Sequence, residues 1–298
     1  MLKEAAQLLY RGHKVMRSRI ARAWGVVLLT ACTSRQEPIP IRWIDLAGET
    51  HRQVSVDREE GRLPQTTTIR LLAYNIRHGA GMDDRVDLKR AARVIRRLDP
   101  DLVALQEIDN QTTRTDRIDQ AQRLGELTGM HALFGGFMDY REGQYGMALL
   151  SRFPIEEATN HRLPDGQEPR TALAARVRLG DDGPEIVFVG IHLYRSAEER
   201  LAQAQRIVEI FQNETRPVIL ASDFNSTPDS DVIELLEKHW RIPDKGEDRF
   251  TFPSRTPRRE IDFIMFRPAD RFKVVQLAVI DEPLASDHRP VLLEVVLR

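Results

Sequence analysis

Nine short apolar runs, rich in β-branched residues and spaced from residue 69 almost to the end, most constrain what this chain can become. They span 69–74, 102–105, 147–150, 172–177, 186–191, 218–221, 261–266, 274–280 and 291–297. Runs of this length suit buried strands better than helices. Helical spacing falls between them: Leu88, Ala91, Ala92, Ile95 and Leu98 share one face, with Asp87 placed to cap the start and Pro100 beyond the end. The same spacing recurs in Ile118, Ala121, Leu124 and Leu127, and again in Leu201, Ala204, Val208 and Phe211. Many strands with a few helices between them predict an α/β (or α+β) class, in which packed sheets are covered by helices. With no internal repeat or break in composition after residue 68, residues 68–298 read as one domain.

The segment before this domain has its own logic. Residues 23–31 (AWGVVLLTA) are apolar, follow Arg17, Arg19 and Arg22, and end at the only cysteine, Cys32. A basic flank, a short apolar core and small residues before a cut are the layout of an export signal. The core is too short to span a bilayer, which takes about 20 residues. Leu29-Thr30-Ala31-Cys32 resembles the bacterial lipoprotein box, in which the cysteine is lipidated and becomes the mature N-terminus. The expectation is a signal over 1–31, with translation starting at Met1 or at Met16. A charged, proline-dotted tether over 32–67 then carries one short strand near 41–46. This places the protein at the cell envelope, held to a membrane through lipidated Cys32, or secreted.

The polar residues fall where strands begin and end. Asn75 closes the first run, Glu107 follows the second, His192 ends IVFVGIH, and Asp223 and Asn225 follow VILA. Asp262 opens IDFIMF, and Asp287 with His288 just precedes the last run. Strand ends and starts share an edge in antiparallel neighbours, so these side chains are expected around one rim, on rigid elements. Each alone is as well explained as a turn or cap residue; the set is not.

The set resembles the endonuclease/exonuclease/phosphatase superfamily, the deoxyribonuclease-I-like hydrolases. The resemblance is carried, in the family's order, by YNI at 74–76, QE at 106–107, YGMALLSR at 145–152, GIHL at 190–193, SDFNSTP at 222–228, IDFI at 261–264 and SDHRPV at 286–291. It implies a four-layer α/β/β/α sandwich of two mixed sheets and a metal-dependent phosphoesterase. By resemblance Asp223 is the base and Asn225 positions the water or a phosphoryl oxygen. His288 contacts the phosphate or shares the proton work, with Asp262 holding its other ring nitrogen. His192 is a phosphate contact or general acid, and Arg170 a fork onto phosphate oxygens or a plain surface arginine. Glu107, Asn75 and Asp287 form the expected metal shell. Their hard oxygen donors suit Mg2+ or Mn2+. Arg77 stands where some family nucleases carry a second acidic ligand, which leaves the number of metals open. Arg114, Asp119 and Gln120 either line a specificity pocket or solvate a helix face.

Three functions compete. The first is hydrolysis of a small phosphorylated molecule or a lipid headgroup; the second is an envelope or secreted nuclease acting on DNA or RNA. The third is an inert binding module that kept the fold. The set of core residue types speaks against the third. A formal net charge of −1 gives no bulk basic charge for nucleic acid, and 6% aromatic residues give few rings for stacking. This favours the first reading over the second only modestly, because a local patch would suffice for a nuclease. Arg90, Arg93, Arg96 and Arg97 cluster, but on the polar face of an amphipathic helix.

Overall fold

The structure is a computed structural model that describes residues 42–44 and 67–298; the expected export signal and lipidated Cys32 lie outside the described residues. The strands in chain order are β1 (Arg42–Ile44), β2 (Thr67–Asn75), β3 (Leu102–Asn110), β4 (His131–Tyr140), β5 (Gly143–Ser151) and β6 (Ile155–Arg162). They continue as β7 (Thr171–Arg178), β8 (Glu185–His192), β9 (Val218–Asp223), β10 (Asp262–Arg267), β11 (Phe272–Val279) and β12 (Val291–Leu297). One sheet has the order β1-β4-β5-β3-β2-β12-β11 and the other β10-β9-β8-β7-β6. Each contains one parallel pair, β2 with β3 and β8 with β9, among antiparallel ones, so both are mixed.

Period-two alternation along the central strands sorts side chains into layers. On β2, Leu71 and Ala73 enter the core between the sheets, where they join Leu149, Leu173, Phe188 and Ile264. Leu72 and Tyr74 point the other way, beneath helices α1 (Leu88–Leu98) and α2 (Gln120–Thr128). On the second sheet Val187, Val189 and Leu220 lie under α3 (Ala197–Phe211) and α4 (Asp231–Glu237). This is the expected four-layer α/β/β/α sandwich. Its central strands are apolar on both faces because both faces are covered.

The first helix matches its sequence signals. Asp87 accepts from the Arg90 amide at 3.0 Å, and Asp99 ends α1 in the left-handed region. The second starts later than its spacing suggests. Asp119 caps it by accepting from Gln122 N at 3.0 Å, which leaves Ile118 outside the helix and exposed. Three elements gave no clear signal. β4 (HALFGGFMDY) contains two glycines, β6 (IEEATNHR) is a half-exposed edge strand, and α4 is only seven residues long. Gly135 of β4 is needed for sheet contact: a Cβ there would lie 2.8 Å from Leu173 Cδ1 of the opposite sheet. β1 falls within the stretch expected as tether and pairs antiparallel with β4 at the sheet edge. No helix among the described residues is long and apolar enough to cross a membrane.

Candidate active site

Register brings the polar residues together. Asp223 at the end of β9 is the direct partner of His192 on β8 and of Asp262 on β10, so the three stand side by side on one sheet. In the other sheet Asn75 pairs with Gln106 across β2 and β3, next to Glu107. Val291 pairs with Ala73, which brings the segment before β12, with Asp287 and His288, to the same rim. Three strand exits and two entries therefore meet as the sequence pattern requires, while Glu107, expected at a fourth exit, lies inside β3, which runs on to Asn110. Glu107, Arg170, His192, Asp223, Asn225, Asp287 and His288 line one cleft of about 660 Å³.

Glu107 reaches the rim through a β-bulge. The pairing of β3 with β5 shifts between Gln106 and Ile108, and Glu107 sits there at φ 60°. A bulge re-aims one side chain, and a non-glycine residue at positive φ carries local strain that the surrounding sheet must hold. Gln106 is turned inward instead, donating to Ala221 O of the other sheet at 3.5 Å.

Asp223 is buried and held at both oxygens. Asn225 N donates to Oδ1 at 2.8 Å and Asn75 Nδ2 to Oδ2 at 3.1 Å. His192 Nε2 and His288 Nε2 stand 3.5 and 3.6 Å from Oδ2. Burial raises the Asp223 carboxyl to about 7, with the His288 charge opposing and Asp262 adding. His288 turns its other nitrogen to Asp262, with Nδ1 at 2.9 and 3.1 Å from the two carboxylate oxygens. Burial pulls this imidazolium down, yet Asp262 and Asp223 together more than offset it and hold it at about 10. Thr251 Oγ1 fixes Asp262 by accepting from its amide at 3.3 Å.

His192 behaves differently. Burial, helped by the Arg170 and His288 charges, holds its pKa well below the ordinary value. Arg170 Nη1 lies 3.4 Å from its Nδ1. A guanidinium only donates, so Nδ1 accepts and the proton sits on Nε2, facing Asp223. A neutral imidazole of this kind is a hydrogen-bond donor to an anion. With its pKa held low it carries no second proton to give as a general acid. Arg170 is no surface arginine: it is 4% exposed, bonds Glu168 at 2.7 Å, and stacks 4.7 Å over Phe137 and 5.4 Å over Tyr194.

Both site amides are held by hydrogen bonds. Asn75 was expected to ligate the metal; its Oδ1 accepts from Arg77 N at 3.0 Å and keeps a second lone pair, and its NH2 group bridges Glu107 at 3.2 Å and Asp223. The amide thus presents donors to the two carboxylates and holds them together. Asn225 sits at φ 51° and donates its NH2 to Leu193 O at 2.9 Å. That leaves it a carbonyl oxygen, which can orient a water, and a second N–H, which can donate to a phosphoryl oxygen.

Asp223, Asp262 and His288 offer ligand atoms within 4.8 Å of one another, close enough for an ion. His288 Nδ1, however, is spent on Asp262, and a protonated ring repels a cation. We read this trio as a proton network. The carboxylates left for a cation are Glu107 and Asp287, and no Lys or Arg nitrogen lies within 4 Å of either among the described residues. Ser286 steadies this corner by donating to Asn75 O at 2.7 Å.

Arg77, in the variant acidic position, turns away to Asp84 at 3.0 Å. Asp119 is the cap of α2, and Gln120 ties Asp109 N to His78 O at 2.9 and 2.7 Å. Arg114 does line the cleft, clamped on buried Asp109 at 2.7 and 2.8 Å. Arg90, Arg93 and Arg97 pair with Asp83, Asp87 and Glu282, as a solvated helix face would. The cleft also contains Tyr145, Glu168, Arg195, Arg200, Phe252 and Arg259, which sequence reasoning gave no role. The available signal was proximity: Arg195 follows His192 by three residues, and Arg259 precedes Asp262 by three.

Comparison with known proteins gives one answer. The profile described as "Endonuclease/Exonuclease/phosphatase family" matches residues 72–288. The uncharacterized protein YbhP of Escherichia coli (strain K12) is 27% identical over 249 residues, covering 78% of this chain and 97% of that protein. An endonuclease/exonuclease/phosphatase from Beutenbergia cavernae superposes with a TM-score of 0.63 at 25% identity, over 77% of this chain and 72% of that one. The mannosyl-6-phosphatase Bt3783 of Bacteroides thetaiotaomicron superposes with a TM-score of 0.63 at 20% identity, over 77% of this chain and all (100%) of that one.

Proposed function

This chain belongs to the endonuclease/exonuclease/phosphatase family, whose members are hydrolases acting on phosphate esters, and from that premise we propose that it is a divalent-metal-dependent phosphoesterase. It hydrolyses a small phosphorylated molecule or a lipid headgroup by attack of an activated water, at the cell envelope. The observation that carries this reading is the alignment of His192, Asp223 and Asp262 in register, closed by His288 across the cleft.

The family typically uses a divalent metal, and the donors here fit one. Glu107 and Asp287 are hard oxygen ligands without an arginine or lysine partner among the described residues, the kind of partial cage that suits Mg2+ or Mn2+. Bound there, the ion offsets the negative charge of the phosphate. The chain's own residues do the rest. Asp223, raised toward neutrality, accepts the proton of the attacking water, which the Asn225 carbonyl orients. His288, kept protonated by Asp262, and the His192 Nε2–H donate to phosphoryl oxygens. Arg170, fixed by Glu168 and two aromatic faces, adds a positive charge that costs no reorganisation.

The test uses purified protein with a panel of sugar phosphates, inositol phosphates, phospholipids and DNA. Hydrolysis is expected with Mg2+ or Mn2+, to vanish with chelator, and to fall by about a hundredfold or more in Asp223→Ala. Unchanged activity in that variant overturns the role of Asp223, and plasmid nicking at physiological salt moves the substrate to nucleic acid. In cells the activity is expected to sediment with membranes and to become soluble in Cys32→Ser; activity that still sediments removes the anchor.

A further inference from the structure

The charges in the cleft are not evenly mixed. Two of its arginines are matched locally, Arg170 by Glu168 and Arg114 by Asp109, each at 2.7 Å. Three others, Arg195, Arg200 and Arg259, have no carboxylate oxygen within 4 Å among the described residues, although they line the same cleft as Glu107, Asp223 and Asp287. The cleft therefore has an acidic pole that suits a cation and a basic pole that no carboxylate pairs with among the described residues.

The basic pole is built on fixed backbone. Arg200, on α3, donates through Nη1 to the carbonyls of Tyr194 (3.4 Å) and Arg195, while Gln203 accepts from Tyr194 N at 3.1 Å. These bonds fold the β8–α3 connection back on the helix and hold Arg195 beside the cleft. The Arg200 Nε is buried without a partner among the described residues. Arg259 is held by paired backbone bonds to Phe252 at 2.9 and 3.1 Å, and the Phe252 ring packs 4.8 Å from His288. The Arg200 pKa is lowered by burial first and by the Arg259 charge second, which places the two guanidiniums in each other's field. Holding like charges together in a cleft is unfavourable unless an anion joins them.

Resting on the phosphoesterase reading, we propose that Arg195, Arg200 and Arg259 form a second anion subsite that selects substrates carrying a second phosphate besides the one hydrolysed. Arg170, His192 and His288 already serve the phosphate at the reaction centre, so three further cationic groups address additional anionic charge. The second phosphate belongs to a small molecule or a lipid headgroup. A cleft of about 660 Å³ has the volume of a small-ligand site. Three of the four α1 arginines that would extend a basic track for nucleic acid, Arg90, Arg93 and Arg97, are paired with carboxylates.

The test compares wild type with Arg195→Gln/Arg259→Gln, two exposed positions. With Mg2+, kcat/KM is measured for a sugar bisphosphate against the matching monophosphates, and for vesicles of phosphatidylcholine carrying phosphatidylinositol 4-phosphate against phosphatidylinositol. With chelator and no turnover, calorimetry compares pyrophosphate with orthophosphate. Wild type is expected to favour the doubly charged ligand by about tenfold or more, since a charge-assisted hydrogen bond is worth about that much. The variant is expected to lose most of that preference, mainly through KM. Loss in the sugar arm assigns the phosphate to a free molecule, and loss in the vesicle arm to a lipid. Preferences unchanged in every arm overturn the subsite while leaving hydrolysis intact. Absence of any hydrolysis, with a pyrophosphate preference that the variant still loses, overturns the phosphoesterase reading and leaves the subsite standing. Oligonucleotides preferred over both small classes overturn the substrate assignment.

Discussion

Asp262 touches no substrate in the proposed chemistry and works through His288. Both its oxygens lie within hydrogen-bond distance of Nδ1, and its backbone is pinned by Thr251. Its negative charge is what raises His288 against the cost of burial. Replacing it with Asn keeps the size and removes the charge. In Asp262→Asn we expect kcat to fall by about a hundredfold or more with KM changed far less, as for other histidines that lose an orienting carboxylate. The His288 imidazole followed by NMR should titrate below its wild-type value, because burial then prevails. An unshifted titration would show that Asp262 does not govern the ring.

At the level of elements, β6 and α3 are joined by an aromatic contact that depends on protonation. His161 of β6 meets the Phe211 ring edge-on at a centroid distance of 5.7 Å. Burial, with a smaller push from Arg206, lowers its pKa from 6.5 to about 4. The unfolded chain therefore binds the proton that the folded chain refuses between those two values. The resulting stability is complete above about pH 6.5 and is lost as pH falls toward about 4. Denaturation midpoints measured from pH 7 to pH 4.5 should decline less steeply in His161→Gln than in wild type. Equal slopes would mean that the ring titrates freely in the folded protein.

The whole molecule depends on two sheets meeting at a set distance, since each contributes part of the site. Gly190 of β8, two residues before His192, controls that distance. A Cβ there would lie 3.0 Å from Leu149 Cδ2 and 3.6 Å from Ala104 Cβ of the opposite sheet. Gly190→Ala is expected to destabilise by about 1–3 kcal/mol through overpacking. Leu149→Ala alone leaves a cavity and costs about 2–5 kcal/mol. The double variant should be more stable than the sum of the two losses allows, because each change relieves the other. Strict additivity in urea denaturation would place Gly190 outside the sheet contact.

Much of this was legible along the chain because it is local. Apolar runs of strand length, the Asp87 cap and the helical face of α1 follow from neighbours within a few residues. The positions of His192, Asp223, Asp262 and His288 at strand ends required only that the strands exist, whereas Glu107 reaches the rim through a bulge inside β3. β4 and β6 escaped because glycines that serve the opposite sheet, and polar residues on an edge, carry no apolar period. Tertiary structure alone decided what each site residue presents. Arg77 N set the direction of the Asn75 amide, Leu193 O took one N–H of Asn225, and Arg170 fixed the tautomer of His192. Arg195, Arg200 and Arg259 became one group only when the β8–α3 connection met the segment before β10. The sequence determines which residue types stand at the rim, since that is a matter of strand length and order. Hydrogen-bond direction, protonation and the separation of charge depend on partners far away in the chain, and these exist only once the sheets have packed.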